Sequence, residues 1–99
     1  MHYAHYTMLI VVCQQTIIIG MVNNNKSELN TKICLRIKFE RIKRNLSQEQ
    51  LAELADLNRN TIGNIERGIA SPTVDTLEKL AKAFDMSVLD LMDVTNITL

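Results

Sequence analysis

Proline occurs once and glycine three times in 99 residues, and no low-complexity tract or internal repeat interrupts the chain. So little punctuation argues for one domain with a short tail and against a second, ligand-sensing domain, so no small-molecule effector is expected. The two cysteines, Cys13 and Cys34, have no Cys-x-x-Cys spacing and no accompanying His pair. A metal centre is therefore not expected: His2, His5 and Cys13 lack a fourth ligand at a sensible spacing. The easy reading is a reduced, cytoplasmic compartment, with Cys34 as a small buried or half-buried filler. No nucleophile-base pair, glycine-rich phosphate loop or paired carboxylates stand out, and Glu49, Glu53 and Glu66 suit helix ends and ion pairs better than catalysis. The chain does not read as an enzyme, and no cofactor is expected.

Charge is absent from residues 1–25, which contain no Lys, Arg, Asp or Glu. Their apolar runs, Met8 to Cys13 and Ile17 to Val22, together fall short of the roughly 20 residues a membrane helix needs, and the first residues supply no basic signal-peptide start. Three readings stand open for this extension: a strand pair used in dimer contact, a membrane-associating segment, or a stretch before a true start at Met21, in which case residues 1–20 are not part of the natural protein.

Net charge is zero, but its halves differ. Between Asn30 and Arg67 there are eight basic residues against five acidic, a net of +3; from Gly68 to Leu99 there are two against five, a net of −3. One half of the molecule attracts phosphates, as expected if a single face docks on nucleic acid.

What is present is helical periodicity. Asn25-Lys26-Ser27-Glu28 is a possible capping box, opening a helix that runs to about Arg44. It carries two apolar stripes, one of Ile33 and Ile37 and one of Leu35, Phe39, Ile42 and Leu46, and one core needs only one of them. Asn45 follows where a left-handed residue is wanted. Ser47-Gln48-Glu49-Gln50 is a second capping box, and Leu51, Ala52, Leu54 and Ala55 form one face of a two-turn helix. Only Asp56 and Leu57 separate it from Asn58, an N-cap for a helix with Ile62 and Ile65 inward and Gly68 at its end. So short a link gives a helix-turn-helix. Ser71-Pro72-Thr73 stops one element and caps a fourth helix carrying Val74, Leu77, Leu80, Ala81 and Phe84. Ser87 caps a fifth, whose Val88, Leu89, Leu91 and Met92 exceed what one inner face requires, so some should be shared with a partner chain. The expectation is an all-α, five-helix domain over residues 26–93, with 94–99 a frayed tail.

In this order and spacing, Arg41, Leu46 to Ala52, Leu57 to Ile62, Ile65 to Gly68, Pro72-Thr73, Thr76-Leu77 and Leu80-Ala81 resemble the Xre or Cro-like helix-turn-helix domains of phage repressors. The resemblance covers roughly Thr31 to Met92. It implies a compact lambda-repressor-like bundle acting as a transcriptional regulator, usually a repressor-type homodimer on a palindromic double-stranded operator. Carried onto this chain, it implies base contacts from Arg59, Asn60 and Asn64, since Arg suits guanine and Asn adenine. Backbone contacts are implied for Ser47, Gln48 and Thr61, with Arg67 and the helix-end cations Lys43 and Arg44 as further candidates. Gly63 keeps the reading face low, and Arg41 with Glu66 matches a structural ion pair that sets the tilt of the third helix. Two departures stand out: Asp56 where the turn usually has Gly, and Phe39-Glu40 where a polar residue followed by an apolar one is usual. The alternative function is an antitoxin-type protein or a restriction-modification controller whose DNA binding is autoregulatory, with a protein partner.

Overall fold

The computed structural model of the chain describes residues 27–99, so the expectations placed on residues 1–25, and on the Asn25 end of the first capping box, lie outside the described residues. Five helices follow one another: α1 (Glu28–Lys43), α2 (Gln48–Ala55), α3 (Arg59–Glu66), α4 (Val74–Ala83) and α5 (Val88–Met92). The expected all-α, five-helix architecture is what the described residues form.

Each helix begins at a side-chain cap. Ser27 caps α1 by accepting from the Asn30 amide at 3.0 Å. Ser47 and Gln50 form the full reciprocal box, with the Ser47 hydroxyl accepting from Gln50 N at 3.0 Å and the Gln50 side-chain oxygen accepting from Ser47 N at 2.8 Å. Asn58, Thr73 and Ser87 cap the remaining three. Such a cap satisfies one of the orphan amides of the first turn, worth about 1 kcal/mol each.

Three of the four joints repeat one device, a left-handed Asn or Asp, then an apolar residue, then the next N-cap: Asn45-Leu46-Ser47, Asp56-Leu57-Asn58 and Asp85-Met86-Ser87. The left-handed residues have φ of 58°, 54° and 58°. In each, the amide of the apolar residue reaches back to a carbonyl five residues earlier: Leu46 to Arg41 at 3.2 Å, Leu57 to Ala52 at 2.8 Å and Met86 to Ala81 at 2.9 Å. This is the Schellman closure, and Leu46, Leu57 and Met86 all pack against the core beneath it. Asp and Asn bear the left-handed conformation at small cost because their short polar side chains tolerate it. Asp56 in place of the usual Gly therefore leaves the turn intact. The fourth joint uses Gly68 (φ 75°) and leaves its apolar residue, Ile69, exposed.

The core gathers Ile33, Cys34 and Ile37 from α1, Leu51, Ala52 and Ala55 from α2, Ile62 and Ile65 from α3, and Leu77, Leu80, Ala81 and Phe84 from α4 and its end. Burial of each large aliphatic side chain contributes about 1.5–3 kcal/mol. Of the two stripes on α1, that of Ile33 and Ile37 faces the core. In the other, Leu35 is buried outside the main cluster, Phe39 is half-buried and Ile42 is exposed.

The segment after α5 does not fray. Val94 and Ile97 are buried in the main cluster beside Leu91, and the Asp93 carbonyl accepts from Arg36 Nη1 at 2.7 Å. A turn closed by Ile97 N on Val94 O at 3.0 Å sets the two apolar residues three apart, so both point inward.

Candidate nucleic-acid interface

Asp56, as the left-handed end of α2, turns the chain directly into the Asn58 cap of α3, and the two helices pack on each other through their buried apolar faces. Inward, α3 presents Ile62, Ile65 and Glu66, all buried. Outward, Arg59 and Asn60 are exposed, while Thr61 and Asn64 are half-buried along its flank.

One carboxylate fixes this arrangement. Glu66, only 5% exposed, accepts from Arg41 Nε at 2.7 Å and Nη2 at 2.9 Å, a two-pronged bond between α1 and α3. The third prong of the same guanidinium, Nη1, donates to the Leu46 carbonyl at 2.7 Å, just before the α2 cap. Gln48 completes the set, its Nε2 donating to Glu66 Oε1 at 3.1 Å. Forked arginine-carboxylate bonds of this kind are geometrically specific as well as strong, so α1, α2 and α3 are held in one mutual orientation. The Arg41–Glu66 pair thus forms as the resemblance implies, and Gln48, expected at a phosphate, also belongs to it.

The remaining expected contacts divide. Asn64 Oδ1 accepts from Arg67 Nη2 at 2.6 Å, so these two side chains are joined across one turn of α3. Ser47 is exposed, with its hydroxyl engaged in the α2 cap. Lys43 is mostly exposed, with Nζ 3.9 Å from Glu40 Oε1. Arg44 is not a free cation: its guanidinium bonds the Glu40 carboxylate, donates to the Phe84 carbonyl at 2.9 Å and lies over the Phe84 ring, 4.9 Å from its centroid. In this arrangement it braces α1 against the end of α4.

Glu40, which departs from the family pattern, is the second buried carboxylate, 4% exposed, and also accepts from Arg36 Nε at 2.8 Å. Burial by itself raises the Glu40 pKa, but hydrogen bonds from Arg44 and Arg36 and the charges of Arg36 and Lys43 outweigh it and hold the carboxyl below its ordinary 4.5. The cluster was legible as Arg36, Glu40 and Arg44 at successive spacings of four, which puts all three on one helical face.

A family model described as Helix-turn-helix matches residues 37–91. Control protein C.BamHI of Bacillus amyloliquefaciens is 46% identical over 55 residues, which are 56% of this chain and 68% of that protein. Control protein C.SmaI of Serratia marcescens is 52% identical over 48 residues, 48% of this chain and 57% of its own. The crystal structure of the restriction-modification controller protein C.AhdI from Aeromonas hydrophila superposes with a TM-score of 0.60 at 35% identity, covering 63% of this chain and 94% of that one. With the model spanning more than half of the chain, and with the two-helix reading unit locked as described, the protein belongs to the phage-repressor-like helix-turn-helix family of DNA-binding transcriptional regulators.

Proposed function

We propose that this chain is a controller-type regulator that binds a palindromic operator as a homodimer in the cytoplasm, with α3 in the major groove. The observation that carries the reading is the Glu66 lock. It joins α1, α2 and α3 through Arg41 and Gln48 while leaving Arg59 and Asn60 exposed at the start of α3. A rigid helix carries its exposed side chains to base edges, where sequence is read, without further ordering of the backbone. The similarity to named control proteins and to the C.AhdI structure favours the controller type. The dimer is supported by α5, where Leu89 is 81% exposed and Met92 also faces solvent, while Leu91 is fully buried.

Selection of bound duplexes from a randomised pool at fixed salt tests the proposal. The expected product is a two-fold symmetric site with half-sites about 34 Å apart, occupied by two protomers in sedimentation. Arg59→Ala is expected to cost about 1–3 kcal/mol and to relax preference at one base pair per half-site. One protomer on an asymmetric site would overturn the dimer, and equal losses on every operator variant would overturn base reading by Arg59.

A further inference from the structure

Asn64 and Arg67 were expected to act separately, one on a base and one on a phosphate. Their geometry couples them. Arg67 ends α3 and its side chain runs back along the helix, placing Nη2 2.6 Å from Asn64 Oδ1. Its Nη1 lies 3.3 Å from the point where a Cβ on Gly63 would stand, and Gln48 Oε1 lies 3.8 Å from that same point. The notch left by Gly63 is therefore where the guanidinium rests. Gln48 is oriented by the lock described above: a carboxylate only accepts, so Glu66 holds the amide nitrogen of Gln48 and its oxygen turns toward the notch.

We propose that Asn64 and Arg67 form one reading unit in which the guanidinium beside Oδ1 biases the pair toward donating hydrogen bonds, and that it selects guanine over adenine at the base pair Asn64 faces. The inference rests on the reading of α3 as the major-groove helix. A free Asn reads adenine by accepting from N6 through Oδ1 while donating to N7 through Nδ2. Here one of the two Oδ1 lone pairs is already taken by a cation, in a charge-assisted bond stronger than a neutral pair. The oxygen is then a poorer acceptor for a second donor, while Nδ2 and the N–H groups of the guanidinium that make no bond to Asn64 add donors beside it. The N6 amino group of adenine, itself a donor, would compete with the guanidinium for Oδ1; the O6 and N7 acceptors of guanine would each find a donor. Gly63 takes part by leaving the notch open, because a Cβ there would stand 3.3 Å from Nη1 and press the guanidinium a few tenths of an ångström out of its place.

The test is selection from randomised duplexes with the wild type, Asn64→Ala and Arg67→Met, the last retaining an unbranched apolar stem without donors. Asn64→Ala identifies the position by flattening its preference. There the wild type is expected to favour guanine over adenine by about ten-fold. In Arg67→Met that preference should pass to adenine while every other position keeps its own. A wild-type preference for adenine at that position overturns the inference without any variant of Arg67. So does an Arg67→Met that binds more weakly on all duplexes with its preferences unchanged, which would make Arg67 a phosphate contact alone. If the wild type enriches no sequence at all, the reading of α3 fails and this inference falls with it.

Discussion

Glu66 and Glu40 are both almost fully buried, and each binds arginine from α1 or its end, yet they organise different sets of elements in different ways. Glu66 itself bridges elements: its two oxygens take Arg41 from α1 and Gln48 from α2 while its backbone belongs to α3. Glu40 bonds only to its own helix, and its arginines do the bridging, Arg36 to the Asp93 carbonyl and Arg44 to the Phe84 carbonyl. The solvent differs too. Arg41 is 14% exposed, whereas Arg36 and Arg44 are 21% and 32% exposed. A carboxylate whose side-chain bonds join three helices is a different component from one that neutralises two arginines already tied to the backbone.

The largest expected effect breaks the two apart. Removing one partner of a buried pair leaves the other charge uncompensated, so Glu66→Ala is expected to lower unfolding free energy by about 3–5 kcal/mol. Glu40→Ala should cost about 2 kcal/mol, because Arg36 and Arg44 keep their carbonyl partners and can turn toward water. Urea unfolding measures both. In operator binding by the folded protein, Glu66→Ala should weaken all sequences, while Glu40→Ala should leave affinity as it was. Equal losses in stability and in binding would collapse the distinction.

Acid sharpens the comparison. The Glu40 carboxyl is held below its ordinary 4.5 in the folded chain, so the folded state favours its charged form. That contribution is fully present above the ordinary value and is lost as pH falls below about 4.5 and through the lowered folded pKa. The difference in urea midpoint between the wild type and Glu40→Gln should therefore be constant from pH 7 to pH 5 and shrink below about 4.5. A difference that stays unchanged down to the acid transition would remove the ion cluster as the source of Glu40's contribution.

The same contrast marks how much the chain disclosed. The helices, their caps and two of the three Asn/Asp joints follow from local signals, since capping and left-handed ends are decided within four residues. Asp85 obeys the identical pattern as Asp56 and could have been read the same way. The Arg41–Glu66 pair joins residues 25 apart in sequence, so nothing local announces it and only the family resemblance does. Glu40 was noticed as a departure, and its spacing from Arg36 and Arg44 was visible. What it braces, the Phe84 and Asp93 carbonyls, depends on packing that spacing does not reveal. Val94 and Ile97 continue from Leu91 at spacings of three, but two such residues beyond the last helix are too short a run to distinguish a packed turn from a tail; the space beside Leu91 gives them a place. Asn64 and Arg67 are legible as separate candidate contacts to DNA but not as a pair, because rotamers decide the bond between them.

The smallest expected effect lies at Gly63, where stability and reading should part company. Gly63 sits within α3 at an ordinary helical backbone, where Ala is favoured over Gly by up to about 1 kcal/mol. The added Cβ would meet Arg67 Nη1 at 3.3 Å, the far end of a flexible side chain that can move aside, and Gln48 Oε1 at an ordinary 3.8 Å. Gly63→Ala is therefore expected to stabilise the fold by about 0.5 kcal/mol, raising Tm by a few degrees. The Glu66 lock should remain, since none of its bonds involves residue 63. The moved guanidinium, however, loosens Asn64, so the guanine preference at its base pair should weaken while Arg59's position keeps its own. Calorimetry and operator selection on this one variant separate the two roles of the interface: a lower Tm would mean that the notch is needed for packing, and unchanged selection would mean that Arg67 reaches Asn64 without it.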